Sequence, residues 1–160
     1  MEVNGYTIKP GAYLNGACLA GTNLTLADLN GAYLNEADLY MADLAGANLH
    51  MADLRKADLR EADLHMADLS NASLEGADLR KANLANANLE GADFTDPDIT
   101  CDDGTLMWIE GADLREANLA GANLAGAELD WAVLLKARAN EKTLWPEGFD
   151  PRRRGVIFED

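Results

Sequence analysis

A leucine recurs at every fifth position through most of this 160-residue chain, and an alanine precedes nearly every one by two residues. Seventeen consecutive units run from Leu14 to Phe94, and five more run from Leu114 to Leu134. The residue between the alanine and the leucine is usually Asp or Asn. Self-similarity at a fixed short period is typical of solenoids, in which each unit packs on its neighbours. The repeat therefore predicts a solenoid.

A period of five fits neither a continuous helix nor one long strand. Successive leucines would step around an α-helix by about 140°, and along a strand they would alternate between opposite faces. The chain must therefore turn once in each unit. In the extended segment between turns, Ala and Leu point inward while Asp or Asn points outward. Four such sides close a square coil of twenty residues, in which leucine stacks on leucine.

The units Ala37-Asp38-Leu39, Ala52-Asp53-Leu54, Ala57-Asp58-Leu59 and Ala112-Asp113-Leu114 resemble those of the pentapeptide repeat family. The resemblance implies an all-β solenoid, a right-handed quadrilateral parallel β-helix of about six coils. We expect one domain, with an N-terminal cap over residues 1–11, the solenoid over 12–136 and a C-terminal cap over 137–160. The predicted core includes Leu39, Leu59, Leu79, Phe94, Ile99, Ile109 and Leu114.

Residues 96–110 interrupt the repeat, although Ile99 and Ile109 keep the leucine phase. Asp102 falls in an inward position, where an unpaired carboxylate is costly to bury. We therefore expect residues 101–105 to bulge outward as a loop. At the ends, Tyr6 and Ile8 are expected to cover the first coil. A short helix is predicted over residues 134–140, before an apolar tail that closes the last coil.

Candidate interaction residues lie in two places. Tyr13 and Tyr33 are twenty residues apart and are expected to stack on one outer side. Loops of repeat proteins often carry binding residues, so the interruption is the second place. Its candidates are Cys101, Asp102, Asp103, Thr105 and Trp108.

Candidates for catalysis or metal binding are few. His50 and His65 are predicted on different sides of the coil, and no glycine-rich phosphate loop is present. We therefore expect neither enzyme activity nor a cofactor. The acidic residues of the interruption do not have the alternating spacing of an EF-hand calcium loop, so we predict a solvated turn instead of a metal site. These residues are Asp96, Asp98, Asp102 and Asp103.

The formal net charge is -15, which argues against direct binding to nucleic acid or to an anionic membrane. No stretch approaches the roughly 20 apolar residues of a membrane span. Residues 1–10 lack a signal-peptide pattern, and two cysteines make no disulfide framework. We expect a cytoplasmic protein that is a monomer or a weak homodimer.

One outer side is predicted to carry an acidic column of Asp38, Asp58 and Asp78, again twenty residues apart. Repulsion between neighbouring carboxylates raises their pKa in the folded state, so the column is expected to destabilise the fold mildly at neutral pH. Arg60 and Arg80 follow two of these carboxylates by two residues and are expected to offset part of the repulsion.

These features together predict a non-catalytic solenoid that offers a rigid acidic surface to an unknown protein partner. Some members of the family resemble B-DNA in width and charge and act on DNA gyrase, so the resemblance implies one alternative, a DNA mimic that modulates a type II topoisomerase. A cation-binding structural protein is a further alternative.

Overall fold

The computed structural model describes residues 1–94, 107–108, 113–125, 127–129 and 132–159. The strands are short, and a single turn of 3₁₀ helix covers Arg152–Arg154. Strands β1 and β2 pair antiparallel, whereas β3 with β4 and β5 with β6 pair parallel. Their bounds are β1 Glu2–Val3, β2 Tyr6–Thr7, β3 Met107–Trp108, β4 Ala127–Glu128, β5 Arg138–Ala139 and β6 Ile157–Phe158.

Single parallel bridges between residues twenty apart connect most of the chain. They form four columns, which begin with Tyr13↔Tyr33, Cys18↔Asp38, Asn23↔Asp43 and Asp28↔Asn48. In each column an outward residue donates its N–H to one coil and accepts from the same coil with its C=O. Tyr33, for example, donates to Ala12 O at 2.8 Å and accepts from Leu14 N at 2.7 Å. The chain is thus a β-helix solenoid held together by coil-to-coil hydrogen bonds.

The interior is filled by the alanines and leucines of the repeat. Leu39, Leu59 and Leu79 have no exposed surface, and Phe94 and Leu114 are 1% exposed. All belong to one continuous core, as the alternation predicts. Ile99 and Ile109, also predicted for the core, lie outside the described residues.

The interruption adds ten residues to one coil. Before it, partners are twenty residues apart, but Asn83 pairs with Asp113, Asn88 with Asn118 and Asp93 with Asn123, thirty residues along. After it the twenty-residue spacing returns, as in Asp113↔Val133. Because ten is a multiple of five, the leucine phase survives the insertion. Sequence periodicity alone therefore did not reveal the change of register.

Each corner is a tight turn closed by a hydrogen bond from the next alanine to the preceding leucine, such as Ala17 N to Leu14 O at 3.0 Å. The second corner residue has positive φ, as in a type II turn. Glycine adopts this conformation freely, and Gly31 has φ of 60°. Many corners nevertheless place a side chain there at positive φ: Leu26, Glu36, Met41, Met51, Lys56, Glu61, Met66, Asn71, Lys81, Asn86, Glu116 and Lys136.

The β1–β2 hairpin lies against the first coil. Ile8 is buried in the core, and Val3 and Tyr6 pack on it half-buried. The Tyr6 hydroxyl accepts from Cys18 N at 3.3 Å, and Asn4 Nδ2 donates to Cys18 O at 3.1 Å. The hairpin therefore provides hydrogen-bond partners for the backbone N–H and C=O of Cys18, which face away from the second coil.

The helix predicted over residues 134–140 is wrong. This segment continues the coil, because Ala137 is buried in the leucine-filled shaft and Arg138 bridges Asn118. Strand β6 then pairs with β5, and Leu144 bridges Asn123. The tandem packing of the coil overrides the helix propensity of this short segment.

Arg154 covers two backbone carbonyl groups at this end. Its Nη2 donates to Leu129 O at 3.2 Å and to Ala132 O at 2.8 Å. Trp145 and Phe149 stack beside it with ring centroids 5.5 Å apart. The tail thus covers the last coil with both apolar and hydrogen-bonding groups.

The corner geometry leads to a first prediction. Gly31→Ala should lower the free energy of unfolding by about 1 kcal/mol, because an alanine at positive φ is strained. An added Cβ meets no atom within 4 Å, so steric overlap does not contribute. Met51→Gly, one coil further at the same corner, serves as the control and should not destabilise the protein. Urea denaturation measures both; a Gly31→Ala variant as stable as the parent would contradict the argument.

The C-terminal contacts lead to a second prediction. Arg154→Ala should lower the free energy of unfolding by about 1–3 kcal/mol, because two backbone carbonyls lose their hydrogen-bond donor. Arg153→Ala is the matched control: that side chain is 86% exposed and pairs with Asp150, so its loss should cost at most about 1 kcal/mol. Thermal or urea unfolding distinguishes the two, and equal costs would show that Arg154 does not cap the shaft.

Candidate functional site

The outward Asp and Asn residues have a structural role that the sequence interpretation missed. Their Oδ1 atoms accept the backbone N–H two residues later, in the first corner position. Asp38 accepts from Tyr40 N and Asp43 from Ala45 N, both at 3.1 Å. The same bond recurs at Asn23, Asp28, Asn48, Asp53, Asp58, Asp63, Asp68, Asp78, Asn83, Asn88, Asp113, Asn118 and Asn123. Such Asx turns explain why this position favours short carbonyl-bearing side chains.

Asparagine amides also connect neighbouring coils. Asn48 Nδ2 donates to Asp28 Oδ1 at 3.0 Å, and Asn88 Nδ2 donates to Asp68 Oδ1 at 3.1 Å. On the adjacent side, Asn83 Nδ2 donates to Asp63 Oδ1 at 3.0 Å. At these places an amide donates a hydrogen bond to the carboxylate of the neighbouring coil, where a second carboxylate would repel it.

In the acidic column, the pKa of Asp58 shifts in the direction opposite to the one predicted. Arg60 donates to both carboxylate oxygens of Asp58, and its Nε lies 3.6 Å from Asp78 Oδ2. The hydrogen bond from Arg60 lowers the pKa of Asp58, whereas the sequence interpretation expected repulsion to raise it. That expectation is wrong because the arginines lie within hydrogen-bonding distance and outweigh the neighbouring carboxylates.

Four aspartates share this arginine pairing, namely Asp53, Asp58, Asp78 and Asp113. Asp53 and Asp113 have their pKa lowered by hydrogen bonds from Arg55 and Arg115, as Asp58 has from Arg60. Each arginine follows its aspartate by two residues, so the same corner that forms the Asx turn also directs the guanidinium back to the carboxylate.

A different surface remains acidic. Residues 11–50 contain no Lys or Arg, yet they carry Asp28, Glu36, Asp38 and Asp43. Among the ion pairs of the described residues, none involves these four. Glu36, Asp38 and Asp43 belong to one coil, and we call them the acidic surface.

Tyr13 and Tyr33 form a parallel stack on one outer side. Their ring centroids are 4.9 Å apart with an interplanar angle of 3°. Tyr13 is 82% exposed and Tyr33 is 43% exposed. The pair is not buried by any described residue of the chain, so its role in binding stays a prediction.

The candidates of the interruption are largely outside the described residues. This applies to Cys101, Asp102, Asp103 and Thr105, and to the potential calcium ligands Asp96 and Asp98. Trp108 lies in β3, where its backbone pairs with Glu128. Within the described ranges, no group of three or more His, Cys, Asp or Glu residues is placed to bind a metal ion.

A serine, a histidine and an aspartate meet at one corner, a contact that was not predicted. Ser70 Oγ donates to Asp68 Oδ1 at 2.6 Å, and His50 Nδ1 lies 2.8 Å from the same hydroxyl. Because the Ser70 hydroxyl donates its single proton to Asp68, it can only accept from His50. The Nδ1 atom of His50 is therefore the donor in the bond to Ser70 Oγ. A catalytic triad needs the opposite arrangement, with a histidine that removes the serine proton. The contact is therefore a surface hydrogen-bond network.

Several surface cavities lie among the described residues. One of about 230 Å³ lies beside Tyr40, Arg60 and Arg80, whose guanidinium groups are already bonded to aspartates. In the part of the chain that is described, no helix has the length and apolar character that a membrane span requires.

The repeat units match a known family. The profile of the pentapeptide repeats family matches residues 11–40, 37–76, 57–96 and 109–140, with eight copies. No curated protein sequence matches the chain.

Several solved structures are similar to the chain. A pentapeptide repeat protein from the thylakoid lumen of Arabidopsis thaliana is 35% identical with a TM-score of 0.57, and the match covers 66% of each chain. One from Nostoc PCC 7120 is 35% identical with a TM-score of 0.36, over 76% of this chain and 84% of that one. QnrB1, a plasmid-mediated fluoroquinolone resistance protein, is 19% identical with a TM-score of 0.40, over 89% and 92%. The first of these supports the fold.

The pairing of aspartate with arginine leads to a third prediction. Asp53, Asp58 and Asp113 have a pKa below the ordinary 3.8, so their ionised forms stabilise the folded state. This contribution is fully present above pH of about 4 and is lost as the pH falls through the lowered folded values. A variant with all three changed to Asn should show a weaker loss of stability on acidification, measured by urea unfolding at a series of pH values. An unchanged acid dependence would contradict it.

Proposed function

Because the chain belongs to the pentapeptide repeat family, we propose that it is a non-catalytic solenoid whose rigid acidic surface binds a basic segment of a protein partner. The observation that carries this proposal is the acidic surface of Glu36, Asp38 and Asp43, whose carboxylates form no ion pair among the described residues. Other coils contain arginines that bond to their own aspartates. Charge complementarity favours a partner rich in Lys or Arg.

Rigidity supports the same proposal. Asp38 and Asp43 are held by their Asx turns, and the backbone N–H and C=O of each are hydrogen bonded to the preceding coil. Ordering of side chains on binding is a major cost of association, and these two are ordered in advance. A preorganised surface of this kind spans two adjacent sides of the coil and suits a partner segment that follows the corner between them.

The side-chain chemistry supports a non-catalytic role. A general acid or base works best with a pKa near the working pH, and arginine moves the pKa of Asp53, Asp58 and Asp113 away from neutrality. The hydroxyl of Ser70 is bonded to Asp68 and is not activated by His50.

The finer architecture is part of the proposal. The four columns of bridges would form the four sides of a right-handed quadrilateral shaft of about six coils, with adjacent backbones about 4.8 Å apart. The cytoplasmic location expected from the sequence also stays a prediction, since one relative comes from the thylakoid lumen.

The acidic surface leads to a fourth prediction. Asp38→Asn with Asp43→Asn keeps both Asx turns, because an amide oxygen accepts the same hydrogen bond, but removes two charges. Binding of a fluorescent arginine-rich peptide should weaken at least tenfold, while the melting temperature stays near that of the parent. Glu90→Gln with Glu141→Gln removes two charges elsewhere and should leave the affinity nearly unchanged.

The same proteins test the alternatives. Equal weakening in both double variants would indicate a general charge effect and would contradict a specific acidic surface. Inhibition of DNA gyrase supercoiling by the parent protein, with no binding of the basic peptide, would favour the DNA-mimic alternative. Stabilisation by micromolar calcium beyond that in matched sodium chloride would favour the cation-binding alternative.

A further inference from the structure

The two ends of the solenoid are closed to different degrees. At the C-terminal end, β6 pairs with β5, Leu144 bridges Asn123, and Arg154 binds two carbonyls. At the N-terminal end, the hairpin satisfies only the backbone of Cys18. Among the described residues, the backbone N–H groups of Tyr13, Asn23 and Asp28 donate no hydrogen bond to another backbone group, and their C=O groups accept none. Three of the four columns therefore begin with an open strand edge, which we call the N-terminal edge.

The N-terminal edge is also nearly free of charge. Residues 10–27 contain no Asp, Glu, Lys or Arg, within a chain of net charge -15. The outward positions that later coils fill with aspartate are here Tyr13, Cys18 and Asn23. Open edges are normally protected by charged side chains, because unpaired strands associate with other chains. This edge lacks that protection on the Tyr13 and Asn23 sides.

Tyr13 offers an apolar contact at the same edge. One face of its ring lies on Tyr33, and the side chain is 82% exposed although it is aromatic. Leu26, on a corner of the same coil, is 76% exposed. The second face of the Tyr13 ring is the one on which a further aromatic ring can continue the stack beyond the first coil.

We propose that the N-terminal edge is a homodimer interface, in which a second copy of this chain docks head to head. The open strand at Tyr13 would pair antiparallel with its counterpart, and the two Tyr13 rings would continue the stack through both copies. This inference does not depend on the proposed partner, since the acidic surface lies in the following coil.

A second copy fits this edge better than a charged partner. A strand edge with free donors and acceptors is self-complementary under a two-fold rotation. The acidic outer sides of two copies repel each other, so the uncharged end is where they approach at least cost. In a four-sided coil the Cys18 and Asp28 sides are opposite. A two-fold axis through the Tyr13 and Asn23 sides then places each hairpin over the partner's open Asp28 side.

The test measures the mass of the full chain by sedimentation velocity across a micromolar to millimolar concentration series in physiological salt. The parent and a Tyr13→Phe variant, which retains the stacking ring, should form a dimer. Tyr13→Asp brings two like charges together at the two-fold axis and should raise the dimer dissociation constant at least tenfold. Met51→Asp introduces the same charge at a site on the shaft that is 63% exposed and should leave the dimer intact.

Hydrogen exchange locates the interface independently. The amides of Tyr13 and Asn23 should exchange more slowly in the dimer than in the Tyr13→Asp monomer, and thermal unfolding should confirm that both variants are folded. A parent protein that stays monomeric throughout would overturn the proposal. So would a Tyr13→Asp variant that dimerises as strongly as the parent, or a Met51→Asp variant that is equally impaired.

Discussion

The hydrogen bonds between residues twenty apart determine almost everything else in this molecule. They keep the units of neighbouring coils in register, so the chain turns at the same place in every repeat unit. The turns are possible only where a residue at positive φ follows the leucine, and the extended segments fit the narrow interior only when Ala and Leu point inward. The interruption follows the same constraint, since its ten additional residues leave the phase of the next coil unchanged.

The acidity of the chain is largely a consequence of its turns. A short side chain with a carbonyl oxygen is needed before each corner, and Asp and Asn are the residues that supply it. Where aspartates stack, an arginine or an asparagine amide compensates them, as at Asp58 and Asp63. Net charge is therefore a poor guide to function here. The informative carboxylates are those without compensation, such as Glu36, Asp38 and Asp43, which lie in a coil that contains no Lys or Arg.

The repeat allowed the buried residues and the turning of the chain to be predicted, because Leu59 and Asp58 occupy positions whose environment recurs in every unit. Features that occur once could not be predicted in the same way. The helix expected at residues 134–140 was wrong because the coil continues through Ala137 with alanine in place of leucine at position 139. The lowered pKa of Asp58 depends on the conformation of one arginine side chain, which periodicity does not specify.

The difference between the two ends also decides what kind of assembly is possible. A solenoid with two open ends can add copies head to tail without limit, because such contacts are heterologous and do not close. Here strand β6 and Arg154 bond to backbone groups at the C-terminal end, so this end is a poor partner for the N-terminal edge of another copy. A contact between two N-terminal edges is isologous and closes after two copies. In the proposed dimer the uncharged N-terminal edge is covered after two copies, so the assembly closes and does not continue into a fibre.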